Sequence, residues 1–189
     1  METYPEFHGR PLFSFGTLQD EDVFHVIAGS PLREPARTVE GLIEDHAACG
    51  VLGGLYPVLV RRHGAVARGT LFHDLPSSVL DRLIWFEWPE FVPEVIDVVT
   101  DDGKVESTYF RPAKTPPVSD ETWSLQDWRH NRKADWLGHA RTAMHFHGVM
   151  SSRELDRHWE DISRYVAGQK VDLPPDIAAR CDLLRGGVK

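Results

Sequence analysis

Along the first two thirds of the chain, apolar positions fall in short runs closed by glycine or proline, the pattern of strands and turns. Residues 11–15 form such a run ending at Gly16, which predicts a buried strand that turns sharply. Asp20 then opens a helix with Val23, Phe24, Val26 and Ile27 on its apolar face and Gly29 at its end. Apolar or β-branched runs over 37–45, 56–62 and 65–75 predict strands, with Gly50, Gly53 and Gly54 before the second and a turn at Arg62-His63-Gly64 before the third. Asp101-Asp102-Gly103-Lys104, between runs at 95–100 and 105–110, predicts a tight hairpin, because Asp-Gly accepts the positive φ that such a turn needs. One short helix is interposed, with Val79, Leu80, Leu83 and Ile84 as its buried stripe and Ser77 or Ser78 as its cap. Strands at this spacing with two inserted helices predict a curled sheet or small mixed barrel.

The pattern changes after Arg111. Pro112, Pro116 and Pro117 read as a linker, and the rest of the chain reads as helical. Ser124 with Asp127, and Ser151 with Glu154, have the spacing of capping boxes. Leu125, Trp128, Trp136, Ala140 and Ala143 recur at helical spacing, which puts Trp128 and Trp136 about 80° apart on one helix. Leu155, Trp159, Ile162 and Val166 mark the next helix, and Pro174-Pro175 introduces the last. The expected organisation is α+β: a barrel over 1–117 and a helical C-terminal extension over 118–189, packed on the barrel or on a second subunit. Trp128, Trp136, Trp159 and Ile162 are expected in the core, because that much apolar surface left in water would cause aggregation.

Composition narrows the function classes. A chain of 189 residues can bury a substantial core, and its 26% of charged residues has too even a sign to mark a disordered segment. The net charge of -8 argues against a nucleic-acid partner, whose affinity comes mainly from phosphate neutralisation. The short basic stretch at 129–133 reads as a solvated helix face. No apolar run approaches a membrane span, and the first ten residues lack the apolar core of a signal peptide, so a cytoplasmic protein without a membrane partner is expected. Cys49 and Cys181 are far apart, show no C-x-x-C spacing and are expected to stay reduced. Among ten histidines, His139, His145 and His147 lie close in sequence, but no helical register brings all three to one metal without the helix ending near 145. Gly53-Gly54 lacks the context of a phosphate loop, and Ser14 and Ser30 lack a G-x-S-x-G elbow. No metal or cofactor is expected.

Two places hold candidate chemistry. Just past a strand end, the backbone N–H groups of residues 16–18 can converge on an oxygen or anion. Glu87 follows Ile84, Trp85 and Phe86 and precedes Trp88, surroundings that raise a carboxylate's pKa toward the range of general acid–base work. Taken without further context, the first is a plain turn into a helix and the second a solvated helix-end glutamate.

Three ordered segments change those readings. Phe13-Ser14-Phe15-Gly16-Thr17-Leu18 resembles the strand-to-loop Tyr-Gly-Ser/Thr-Leu motif of the gamma-glutamylcyclotransferase-like family. Leu55-Tyr56-Pro57-Val58-Leu59-Val60, followed by Arg68-Gly69-Thr70-Leu71, is similar to its Tyr-Pro strand and the glycine strand after it. The segment from Leu80 to Glu87 resembles the helix that ends in the family's catalytic glutamate. The resemblance, over roughly the first 110 residues, implies a mixed barrel of that type. It further implies Glu87 as catalytic residue, Phe15, Gly16, Thr17, Leu18, Tyr56 and Trp88 as substrate-binding residues, and no cofactor. The implied reaction is cyclisation of a gamma-glutamyl amine or amide to 5-oxoproline with release of the amine, and the implied partner is that small molecule; a homodimer through the C-terminal helices is an expectation from their amphipathic pattern alone. Phe15 stands where the family usually has Tyr, Ile84 where Asp is common, Trp88 where glycine follows the glutamate, and Phe91 in place of a frequent Tyr. Phe15 and Trp88 favour the alternative, a catalytically silent binding module on the same cavity.

Overall fold

The computed structural model describes residues 4–29, 36–87 and 89–186. Trp88 and Ser30, both singled out above, lie outside the described residues. The strands are β1 (Leu12–Ser14), β2 (Arg37–Val51), β3 (Pro57–His73), β4 (Phe91–Thr100), β5 (Gly103–Pro112) and β6 (Val118–Thr122). They form one sheet in the order β3-β1-β5-β4-β2-β6, and an additional β2–β3 pairing closes five of the strands into a barrel. The helices are α1 (Glu21–Ala28), α2 (Ser77–Glu87), α3 (Leu125–Asn131), α4 (Lys133–Met144), α5 (Ser152–Val166) and α6 (Pro175–Gly186). The chain is therefore α+β, a mixed barrel with a helical C-terminal extension.

The hairpin at Asp101-Asp102 joins β4 to β5 with Thr100 opposite Gly103, and α1 runs from an Asp20 cap to Gly29. Other expectations need correction. Arg62-His63-Gly64 is not a turn: β3 runs through it and pairs with β2 on both sides. The register slips between Glu44 and His46, where Asp45 takes φ 54°, opposite Gly64 at φ 75°. Asp45 accepts the Gly64 N–H at 2.8 Å, so the Gly signal marks a bulge that bends two long strands into the barrel wall. Ser77 and Ser78 sit inside the first turn of α2, whose Val79 and Leu80 amides donate to the Pro76 carbonyl.

The segment after the prolines is not helical from its start. Val118–Thr122 forms β6 against the far end of β2, and only then does Ser124 cap α3. The expected single helix through Trp128 and Trp136 is two helices, broken at Arg132 (φ −133°, ψ −15°). The break lets the basic residues reach back to α1. Asp20, 1% exposed, accepts Arg129 Nε at 2.8 Å and Lys133 Nζ at 3.0 Å while its side chain caps α1. Burial would raise the Asp20 pKa, but these bonds outweigh it and hold the carboxyl below its usual value. Arg129 and Lys133 thus clamp the extension to the barrel, while Arg129, His130, Asn131 and Arg132 remain exposed, as a solvated helix face has them.

Three apolar clusters hold the molecule. Phe13, Phe15, Ile43, Leu71, Val98 and Tyr109 fill the barrel. The second cluster packs α1 and α2 on the barrel and includes Trp128 and Trp136, with the Trp128 indole donating to the Leu55 carbonyl at 2.6 Å. The third surrounds Trp85 at the end of α2 with Phe146, Leu155, Ile162, Ile177 and Cys181 from the extension. At about 1.5–3 kcal/mol for each large side chain removed from water, the last two clusters tie α2 firmly between barrel and extension. Trp159 departs from the expectation: it is only half-buried and faces a cavity. Cys49 and Cys181 are free thiols.

Candidate functional site

Where β1 ends, α2 ends and the extension folds over both, the structure forms a half-open cavity of about 200 Å³. Phe15, Gly16, Thr17, Leu18, Tyr56 and Glu87 all line it, so six of the seven sequence-derived site residues meet in one place. Ordinary chain geometry achieves this. β1 stops at Ser14 and a 3-10 turn, Thr17–Gln19, begins at once. That turn's own hydrogen bonds are donated by Gln19 (to Gly16 O, 3.1 Å) and Asp20 (to Thr17 O, 3.0 Å). The amides of residues 16–18 stay outside those bonds, as the first donors of a helical turn do. Gly16 sits close to the wall that also carries Tyr56: a Cβ there would lie 3.0 Å from Pro57 Cγ, so a larger residue would have to push that ring back by a few tenths of an ångström.

Glu87 is the last residue of α2. The apolar stripe of that helix locks it into the core, and the carboxylate is presented at the cavity with only partial access to solvent. Burial, reinforced by the nearby charge of Glu90, pushes its pKa up to about 8. At neutral pH most of the free protein therefore carries a protonated Glu87, close enough to ionisation to exchange a proton in either direction. Tyr56 donates to Glu90 Oε2 at 3.2 Å. Burial and the two carboxylates push the Tyr56 pKa up, so the phenol keeps its proton. Phe15 is 7% exposed and packs in the barrel cluster with its ring centroid 6.4 Å from that of Phe13, giving the cavity an apolar edge without a hydroxyl.

The opposite wall lies outside what the sequence pattern predicts. Trp136, His139 and Ala143 from α4 and Ser152, Leu155, Asp156 and Trp159 from α5 line the same cavity. The α5 residues recur at three- and four-residue steps, a true helical face whose spacing alone reads as core. The signal available was Asp156, a carboxylate inside an otherwise apolar stripe. The histidine cluster also resolves into separate fates. His139 enters the cavity wall with its pKa lowered to about 4 by burial, His145 keeps a buried Nε2 without a partner among the described residues, and His147 Nδ1 lies 3.1 Å from Arg82.

This geometry brings the turn at 16–18 and a carboxyl poised near neutrality to one cavity of a size for a small molecule. Comparison with known proteins gives it a context. Residues 12–130, more than half of the chain, match the model of a family described as "Gamma-glutamyl cyclotransferase, AIG2-like". "AIG2-like protein B" of Arabidopsis thaliana is 22% identical over 129 residues, covering 66% of this chain and 71% of the relative. Two solution structures of Arabidopsis thaliana proteins share the fold. One has a TM-score of 0.52 at 18% identity, covering 79% of this chain and 88% of the other; the second has 0.51 at 21%, covering 71% and 90%. The family match ends before α4, so the wall made by α4 and α5 lies outside it.

Proposed function

The chain belongs to the gamma-glutamyl cyclotransferase, AIG2-like family, and on that premise we propose that it is a cyclotransferase with Glu87 as its acid–base residue. The substrate is a gamma-glutamyl amine or amide. Its α-amine attacks the carbonyl carbon of its own side chain, forming the ring C–N bond of 5-oxoproline, and the bond from that carbon to the departing nitrogen breaks. Ionised Glu87 removes a proton from the attacking nitrogen, and the resulting carboxylic acid returns one to the leaving nitrogen, so no proton is lost or gained by the protein. The amides of residues 16–18 stabilise the oxygen on which negative charge develops. The attack is intramolecular, and holding the two groups together supplies effective molarities of order 10⁵ M or more without a covalent enzyme intermediate. Tyr56 and Phe15 bound the glutamyl part, and Trp88 follows Glu87 in sequence as a further candidate contact.

The observation that carries this reading is the convergence of Glu87, with its pKa near 8, and the turn at 16–18 on one cavity. The test is 5-oxoproline release from a panel of gamma-glutamyl amines and dipeptides. Glu87→Gln should keep the fold and lose about 10²-fold or more in turnover, the scale of a removed general acid–base. Unchanged turnover in that variant removes Glu87 from the mechanism. Binding without release by the wild type favours the silent module, to which the missing hydroxyl at Phe15 already points. The proposal includes a cytoplasmic setting; among the described residues no helix is long and apolar enough to cross a membrane. It also includes a homodimer through the C-terminal helices, tested by sedimentation.

A further inference from the structure

We propose that α4 and α5 build a leaving-group subsite for an aromatic amine whose ring bears no charge, so that the chain prefers gamma-glutamyl arylalkylamides to gamma-glutamyl dipeptides. The inference rests on the cyclotransferase reading and adds to it what the departing amine must look like.

The side of the cavity built by α4 and α5 is rich in aromatic rings. His139 stacks on Trp136 with centroids 4.9 Å apart and planes 8° from parallel, and it lies 4.2 Å from Trp159 at 51°. Trp136 in turn lies 5.7 Å from Tyr56 and 6.1 Å from Phe86, which precedes Glu87. A row of rings at these separations offers offset-stacked and edge-to-face places to one more ring. Burial keeps the His139 imidazole neutral, so it acts as part of that aromatic wall and not as a cation.

Charge excludes the commonest competitor. Among the described residues no Lys or Arg lines the cavity, whereas Glu87, Glu90 and Asp156 do. The leaving amino acid of a gamma-glutamyl dipeptide would bring its carboxylate into this wall with no cation to meet it, and an unpaired charge is costly to desolvate. Asp156 is exposed at the rim, where an ion pair with a cationic amine would be solvent-screened and weak.

Two buried polar groups lie behind the wall. Trp136 Nε1 and Ser152 Oγ have no hydrogen-bond partner among the described residues, although the residues are only 7% and 3% exposed and both line the cavity. Buried donors are rarely left unsatisfied in a native fold.

The experiment compares kcat/KM for release of 5-oxoproline from four compounds: gamma-glutamyl-phenethylamide, gamma-glutamyl-ethylamide, gamma-glutamylphenylalanine and the gamma-glutamyl amide of 1,5-diaminopentane. The expected result is that the phenethylamide exceeds each of the others by about tenfold or more. Trp159→Ala should bring the phenethylamide-to-ethylamide ratio near one, while Trp159→Phe retains most of it; a merely structural Trp159 would lower both substrates alike and leave the ratio intact. Release from the ethylamide, phenylalanine or diaminopentane compound equal to that from the phenethylamide, or a ratio unmoved by Trp159→Ala, overturns the subsite but not the cyclotransferase. Failure to release 5-oxoproline from any of them overturns the cyclotransferase reading. The subsite is then read from titration of the same compounds followed by tryptophan fluorescence, where tighter binding of the phenethylamide supports it and equal binding of all four overturns it.

Discussion

The Tyr56 hydroxyl donates to Glu90 at 3.2 Å, and this bond fixes a second carboxylate where its charge acts on Glu87. The proton affinity of Glu87 is therefore set by burial first and by Glu90 second. If ionised Glu87 is the base, kcat/KM should rise with pH through an apparent pKa near 8 and fall about tenfold per pH unit below it. Glu90→Gln removes the neighbouring charge and should move that limb to lower pH by a fraction of a unit. A pH–rate profile of the two proteins checks both the position and the direction.

The same pKa has a consequence for stability. Glu87 titrates near 8 in the folded protein and near 4.5 when unfolded, so between those values the folded state binds the extra proton. Folding stability is greatest below about 4.5 with respect to this group and declines as pH rises through the folded value. Glu87→Gln cannot ionise and should escape the decline, becoming more stable than wild type by about 3 kcal/mol at pH 9, after allowance for solvent access. Denaturant melts of both proteins at pH 5 and pH 9 give the difference. A gap that does not widen with pH contradicts the buried, raised carboxyl.

His139 has the opposite sign. Its folded pKa of about 4 lies below the ordinary 6.5, so the unfolded chain takes up the proton first as pH falls. Stability from this group is complete above about 6.5 and is lost progressively toward 4. His139→Phe keeps a ring against Trp136 and Trp159 and should flatten the acid side of the stability profile between those values. Thermal melts from pH 7 to pH 4 measure the slope.

The barrel and half of the cavity were legible in the sequence because their determinants are local. Glycine and Asp-Gly signals, a cap at Asp20 and a helix stripe ending in Glu87 each act within a few residues. The β6 strand was not legible, since Val118–Thr122 is short and mostly exposed and is defined by its pairing with β2, some 70 residues earlier in the chain. Residues 62–64 looked like a turn because Gly64 does have positive φ; whether such a glycine reverses the chain or bulges a strand depends on the partner strand, here Asp45. Trp136 and Trp159 carried the spacing of core residues, and helical periodicity cannot tell a face that meets a core from one that meets a cavity. Only the tertiary contact of α4 and α5 with the end of α2 makes that distinction.

Asp20 tests how the extension is held. Its buried carboxylate accepts the Val23 amide of α1 and also Arg129 and Lys133 from α3 and α4, so one side chain serves as helix cap and as anchor for the extension. Losing a cap costs about 0.5–2 kcal/mol. Arg129 is partly solvated and Lys133 keeps its pair with Asp22 at 2.6 Å, so losing the charge adds less than breaking a fully buried pair would, and Asp20→Ala should cost about 2–3 kcal/mol in all. Asp20→Asn retains a capping oxygen and should recover about 1 kcal/mol of that loss, separating the cap from the charge. Arg129→Ala, which leaves cap and carboxylate in place, should cost about 1 kcal/mol or less. Chemical denaturation of the three variants orders these effects. If α4 and α5 depend on this anchor for their position near Glu87, Asp20→Asn will also raise KM for gamma-glutamyl substrates, because loosening the clamp moves Trp136 and His139 relative to the turn at 16–18, whose backbone bond from Asp20 N to Thr17 O the substitution leaves available.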